Sequence, residues 1–190
     1  MANNSPRIVQ IVQPGPMTLV QDRGRLGFQK LGVSVSGAVD IDSFDLGNLL
    51  VGNDPDAACL EVLLGGLEIE FLDDLIIAVT GAESDVTIDG VTIALGVSYF
   101  IHSDARLKLG MATDGLRTYI AIAGGIDIPQ TLGSRSTHFA SKIGGVEGRS
   151  LVAGDVLSLG EPSTLAASGL LLEGESTSSP SDEISVRIML

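Results

Sequence analysis

The run Val86-Thr87-Ile88-Asp89-Gly90-Val91-Thr92-Ile93 constrains this chain more than any other stretch. Alternating β-branched residues flank an Asp-Gly pair, and a two-residue type I′ turn needs φ > 0 at both of its central positions, which Asp-Gly supplies. The run therefore predicts a tight antiparallel hairpin. Short runs of the same kind recur along the chain. Arg7 to Gln13 is bounded by Pro14-Gly15-Pro16, Met17 to Gln21 resumes as a second strand, and Leu67 to Phe71 alternates cleanly. Leu75 to Val79 is a continuous apolar run, as in a strand buried on both faces, and Leu60 to Leu64, Val97 to His102, Arg117 to Ala123 and Val156 to Leu159 read as further strands. Glycine, at 24 of 190 residues, is used at roughly double the ordinary frequency of about 7 %, which suits many tight turns. The pattern predicts a mainly β domain, closed or sandwiched.

One helix interrupts the strands. Between Val39 and Leu50 the apolar residues Ile41, Phe44, Leu49 and Leu50 fall near helical spacing, with Asp40 as N-cap and Gly52-Asn53-Asp54-Pro55 as the stop. Ser36, Gly37 and Asp40 stand at its start, where free N–H groups bind either a capping side chain or a ligand anion.

Charge excludes one broad class of function. With 11 basic and 24 acidic residues the net charge is −13, so the chain lacks the basic face that nucleic acid requires. Apolar residues make up 44 % of the chain and charged residues 18 %, enough to build a core. At a mean hydropathy of +0.37, a domain of this size also leaves apolar surface for a partner or a second copy. The single cysteine, Cys59, lies in the apolar run Ala57-Ala58-Cys59-Leu60 and reads as a core residue. His102 and His138 have no further ligand at metal spacing, and no metal site is expected. No apolar run is long enough to span a membrane, and the expected setting is a reducing cytoplasm.

The basic residues are reserved for particular places. Leu31 to Ala105 holds 14 acidic residues and no Lys or Arg, whereas several arginines sit in glycine-bearing turns: Asp22-Arg23-Gly24-Arg25, Gly133-Ser134-Arg135-Ser136-Thr137 and Gly148-Arg149. Such loops aim guanidinium forks and backbone N–H groups at a carboxylate, carbamate or phosphate, unless each Arg merely pairs with a surface acid. Arg25 and Arg135, from distant loops, are the expected two-sided clamp for a small anionic or amide substrate. Asp40 would orient one of them or act as base, with Ser36, Ser134 and Thr137 supplying hydroxyl contacts. No phosphate-binding P-loop, dinucleotide fingerprint or nucleophile elbow is present in the sequence.

The order of seven blocks is more specific than any one of them. Val20 to Gly27, Gly32 to Asp40, Asn48 with Val51-Gly52-Asn53, Leu60-Glu61, Thr80-Gly81-Ala82, Ala123 to Pro129, and Leu132 to Thr137 with Gly148-Arg149 through Gly154-Asp155 resemble the N-terminal half of the biotin-dependent carboxyltransferase family. That family includes the C-type subunit of ATP-dependent 5-oxoprolinase, the second subunit of allophanate hydrolase and the carboxyltransferase region of urea carboxylase. The resemblance implies a cyclophilin-like β-barrel with one or two short helices over residues 1–160. The loop reading and the resemblance agree on preorganised Arg and N–H donors, and the expected catalytic residues are Asp40, Arg25 and Arg135, with Asp22, Ser36, Asn53, Ser134, Ser136 and Thr137 as substrate-binding ones.

Residues 161–183 are rich in Ser, Glu and Pro and read as a linker, while residues 184–190 alternate like the first strand of a truncated second half. The function implied is that of the C-type subunit of 5-oxoprolinase, converting 5-oxoproline, ATP and water to glutamate, ADP and phosphate with B-type and A-type partner subunits. ATP would be used with the partner, and the 190-residue chain alone would be inactive. Two alternatives follow from the same resemblance. One is a carboxyltransferase component of a urea carboxylase or allophanate hydrolase system, with biotin on a separate carrier. The other is a protein-binding antagonist of a sporulation-kinase inhibitor.

Overall fold

The break at Pro14-Gly15-Pro16 decides the architecture, because the strands on its two sides, β1 (Ile8–Pro14) and β2 (Met17–Gln21), enter different sheets. Gly15 makes this crossing possible: its φ is +67°, and a Cβ there would overlap the carbonyl oxygen of Gly65. The computed structural model describes residues 7–163 and 166–171. After β2 come α1 (Ile41–Leu50), β3 (Cys59–Leu63), β4 (Leu67–Phe71), β5 (Leu75–Glu83), β6 (Val86–Ile88), β7 (Val91–Ile93), β8 (Ser98–Ile101), β9 (Arg106–Leu109), β10 (Asp114–Ile122) and β11 (Val156–Ser158).

These strands form two antiparallel sheets. One has the order β11-β1-β4-β9-β6-β7 and the other β2-β3-β10-β5-β8. Their inner faces share one core: Val9, Ile11, Ile69, Phe71, Leu107 and Leu157 from the first, with Val20, Leu60, Val62, Ile77, Val79, Ile120 and Ile122 from the second. Alternation along each strand is what sorts these side chains inward.

The expectation of a cyclophilin-like β-barrel is corrected here, while the mainly β class holds. Neither sheet closes on itself or on the other. β11 and β7 end the first sheet as three-residue strands, each paired on one side only. The rims of the second sheet are held by loops. Thr137 and Leu151 donate backbone N–H bonds to Val20 and Thr18 of β2, and Ser98 of β8 donates its N–H to Leu170. Main-chain groups that would pair strand to strand in a barrel are satisfied by non-strand segments instead. The two-sheet sandwich, the other outcome left open by the strand pattern, is what forms.

The Asp-Gly hairpin forms as β6 and β7, with positive φ at Asp89 and Gly90 and the register Thr87 opposite Thr92. Helix α1 starts where the spacing predicts. Asp40 accepts the Ser43 N–H at 3.1 Å and the Ser43 hydroxyl at 2.6 Å, so its carboxylate is the N-cap. Phe44 and Leu50 pack the helix onto the outer face of the second sheet, where Cys59, Ala78, Ala121 and Tyr119 lie buried. The small side chains of that face let the helix come close: a Cβ on Gly47 would be 3.2 Å from the Ala121 methyl. Cys59 is the buried core residue expected. Residues 184–190, expected as an orphan strand, and most of the expected linker lie outside the described residues. Among the described residues no helix is long and apolar enough to cross a membrane.

Candidate functional site

Two loops far apart in sequence are tied at one carboxylate. Asp22, 6 % exposed just after β2, accepts hydrogen bonds at Oδ1 from the Gly24 N–H (2.8 Å), the Ser134 hydroxyl (2.7 Å) and the Ser136 hydroxyl. Its Oδ2 accepts the backbone N–H of Arg135 at 2.5 Å. The Asp22 N–H in turn donates to Ser136 Oγ, and the Ser136 N–H to Ser134 Oγ. Burial alone pushes a carboxyl pKa upward. Here the Ser136 and Ser134 hydroxyls and the Arg135 and Gly24 N–H groups overcome that push and hold Asp22 below the usual carboxylate range. The result fixes the backbone of residues 134–136, and with it the point from which Arg135 leaves the loop.

Arg25 is buried to 1 % exposure and spans the same junction. It donates from Nη2 to the Ser136 carbonyl and from Nε to the Thr131 carbonyl at 3.4 Å, while Nη1 is buried without a partner. Burial lowers the Arg25 pKa, and the nearby Asp22 carboxylate opposes that shift. Gly144 is what admits the guanidinium: at φ +67°, its Cβ would overlap the Ser136 carbonyl oxygen and lie 2.5 Å from Arg25 Nη2.

Two clefts open beside this junction. The larger, about 620 Å³, is lined by Asp22, Arg23, Arg25, Leu26, Phe28 and Leu132 among others. The smaller, about 340 Å³, is lined by Asp54, Gly124, Gly125, Asp127, Arg135 and Gly160 among others. Asp56 and Gln130 belong to both walls. Arg25 and Arg135 therefore face adjoining clefts rather than lining a single one. In the smaller cleft Arg135 Nη2 is 2.6 Å from Asp127 Oδ1, and Arg135 Nε is buried with no hydrogen-bond partner. Arg23 is held 2.5 Å from Asp45 and 3.6 Å from Asp56. Neither lining suits a nucleotide triphosphate, since it includes no Lys and its arginines already meet carboxylates or carbonyls.

The remaining expected residues serve the frame around these clefts. Thr137 donates both its N–H and its hydroxyl to the Val20 carbonyl, and Ser36 donates its hydroxyl to the Thr137 carbonyl at 3.0 Å. Asn53 bridges three segments, donating to Asn48 Oδ1 and the Ile122 carbonyl and accepting the Gly124 N–H. That last bond sets the Gly124-Gly125 turn on the smaller cleft. Asp40 caps α1 and donates its N–H to the Tyr119 hydroxyl at 2.8 Å.

Sequence reasoning gave no role to what lies behind Asp40. The Tyr119 hydroxyl donates to buried Glu61 at 2.7 Å, Glu61 also accepts the Val39 N–H, and Arg117 Nε lies 3.3 Å from its other oxygen. Glu61 and Tyr119 stand opposite each other in the β3–β10 register, a pairing that no local pattern announces. Asp127 was also missed as a site residue. Its signal was its place between Gly124-Gly125 and Pro129, a glycine-bearing turn like those that carry Arg25 and Arg135.

A model of the carboxyltransferase domain, subdomains A and B, matches residues 31–190. Over 154 residues the chain is 42 % identical to the C-type subunit of 5-oxoprolinase from Escherichia coli, covering 81 % of this chain and 50 % of that protein. Over 155 residues it is 41 % identical to urea amidolyase of Saccharomyces cerevisiae, covering 81 % of this chain and 8 % of that much longer protein. Among solved structures, the Kluyveromyces lactis urea amidolyase superposes with a TM-score of 0.79 at 40 % identity, over 83 % of this chain and 10 % of that one. The chain thus spans about half the length of the Escherichia coli relative.

Proposed function

The chain belongs to the carboxyltransferase domain family, matched over residues 31–190, and on that footing we propose that it supplies one wall of a site that holds and polarises a planar amide-type carbonyl. The observation that carries this reading is Arg135: its backbone N–H is pinned by Asp22, while its guanidinium lies on the wall of the smaller cleft beside Gln130. A donor fixed before the substrate arrives stabilises charge developing on an amide oxygen without reorganising at the moment of reaction. Arg25 braces the carbonyls of Thr131 and Ser136 from behind, and Asp40 holds the start of α1.

In its more specific form, the reading is that the chain acts as part of the C-type subunit of a 5-oxoprolinase. With A-type and B-type partner subunits it would open the 5-oxoproline ring at the expense of ATP, giving glutamate, ADP and phosphate. The similarity to the Escherichia coli protein supports this form. ATP is assigned to the partner, because neither cleft here has a lining fit for a triphosphate. The similarity to yeast urea amidolyase supports a second form, in which the same cleft receives a carboxyl group from carboxybiotin on a separate carrier.

The test is the chain assembled with its partner subunits, assayed for coupled glutamate and ADP release. Arg135→Gln is expected to lower kcat/KM by about a hundredfold, the loss typical of one preorganised donor. Turnover unaffected by Arg135→Gln overturns the site. Carboxyl transfer from carboxybiotin to urea, with no 5-oxoproline hydrolysis, selects the second form.

A further inference from the structure

The ion pair between Arg135 and Asp127 sits in the wall of the smaller cleft, and the proposed site has no use for an acid there. Three carboxylates line this cleft, Asp54, Asp56 and Asp127, against the one guanidinium of Arg135. Asp54 is turned toward the Asp56 N–H at 2.9 Å, and Asp56 lies 3.6 Å from Arg23 Nε, so both have partners of their own. Asp127 is left to face Arg135 alone, at 2.6 Å. Its side chain is more than half exposed, yet its backbone is fixed, with the N–H donating to the Ser158 carbonyl of β11 at 2.8 Å. Asp127 is thus a carboxylate held at the place where an anionic ligand would bind Arg135.

We infer that Asp127 sets the charge selectivity of the cleft: it occupies the anion-binding edge of Arg135, so that the cleft takes the neutral amide or ureido end of a ligand and turns away a free carboxylate or phosphate. The inference rests on the reading that the Arg135 cleft is the ligand site. An anion entering must displace a carboxylate already in contact with the guanidinium and must also face a chain of net charge −13. A neutral carbonyl needs only a single donor from the guanidinium and brings no charge that must displace the carboxylate. The amide oxygen is directed to the guanidinium, and the amide N–H toward the carboxylate of Asp127. For a ligand with both a lactam and a carboxylate, the lactam faces Arg135 and the carboxylate points out of the cleft.

The experiment uses the full chain and two probes, inorganic phosphate and the uncharged lactam 2-pyrrolidinone, with binding followed by ligand-observed NMR. Asp127→Asn keeps the size of the side chain and removes its charge. The variant is expected to gain about fivefold in phosphate affinity, the order of a partly exposed charge pair, while 2-pyrrolidinone changes by less than about twofold. The double variant Asp127→Asn/Arg135→Gln should lose the phosphate gain. Phosphate affinity equal in wild type and Asp127→Asn overturns the inference, as does a gain that survives the loss of Arg135. Failure of wild type to bind the lactam, or lactam binding unchanged by Arg135→Gln, overturns the site reading beneath it.

Discussion

Replacing Asp22 by Asn changes one atom at the point where the two site loops meet. Asp22 Oδ1 takes three donors and Oδ2 one, so the amide nitrogen must face either the Arg135 N–H or the Gly24 N–H with the two serine hydroxyls. Hydroxyls rotate to a new partner and a backbone N–H does not. Keeping the oxygen at the Oδ1 place preserves three bonds, so the less costly orientation leaves the part-buried Arg135 N–H unpaired, at about 1–3 kcal/mol, and the other three bonds lose their charge assistance. The expected total is about 3 kcal/mol.

This loss has a pH signature. Because the folded-state pKa of Asp22 lies below its unfolded value, its contribution is fully present above the unfolded carboxylate pKa of about 3.9 and is lost as pH falls through the folded value. The assay is urea unfolding of wild type and Asp22→Asn at pH 7 and at steps below pH 4. The gap should be full at pH 7 and narrow only below about pH 4. A difference under about 0.5 kcal/mol at pH 7, the ordinary effect of a surface change, would refute the account of this junction.

Gly144→Ala places a methyl group against the Ser136 carbonyl and Arg25 Nη2 at a positive φ, and is expected to cost about 2–4 kcal/mol in thermal or urea unfolding. Cys59 is fully buried and its thiol is pushed far above the usual range by burial, with the Asn48 side chain only partly opposing. Its reaction with a disulfide reagent should therefore be slowed at least about a thousandfold in the folded chain relative to the urea-unfolded one, which rapid-mixing absorbance measures.

Local chemistry was legible in the sequence where a few neighbouring residues suffice. Asp89-Gly90 fixed its hairpin, and Asp40 with the Gly52 to Pro55 stop bounded the helix, because turn and cap preferences act over three or four residues. β9 (Arg106–Leu109) was missed, since its alternation, clean as it is, runs for only four residues between polar turns. The pairing order was not legible either. Whether β11 and β7 meet to close a barrel depends on strands 60 or more residues apart, and nothing in Val156 to Ser158 says which edge it will leave open. The site divides in the same way. Arg25 and Arg135 stood out by their glycine neighbours, whereas the meeting of Glu61 with Tyr119 and of Arg135 with Asp127 follows from register and loop packing.

The loop that rims β2 also governs the order in which this domain becomes safe in the cell. Val20 and Thr18 expose bare main-chain carbonyls until the N–H groups of Thr137 and Leu151 arrive to cover them. A ribosome adding about 5–20 residues per second leaves that strand edge open for on the order of ten seconds after β2 has emerged. During that interval the nascent chain presents a sticky apolar strand, with β3 as its only ordered neighbour. Chaperone demand for this domain should accordingly peak while residues 60–137 are being made and fall once residue 151 clears the exit tunnel.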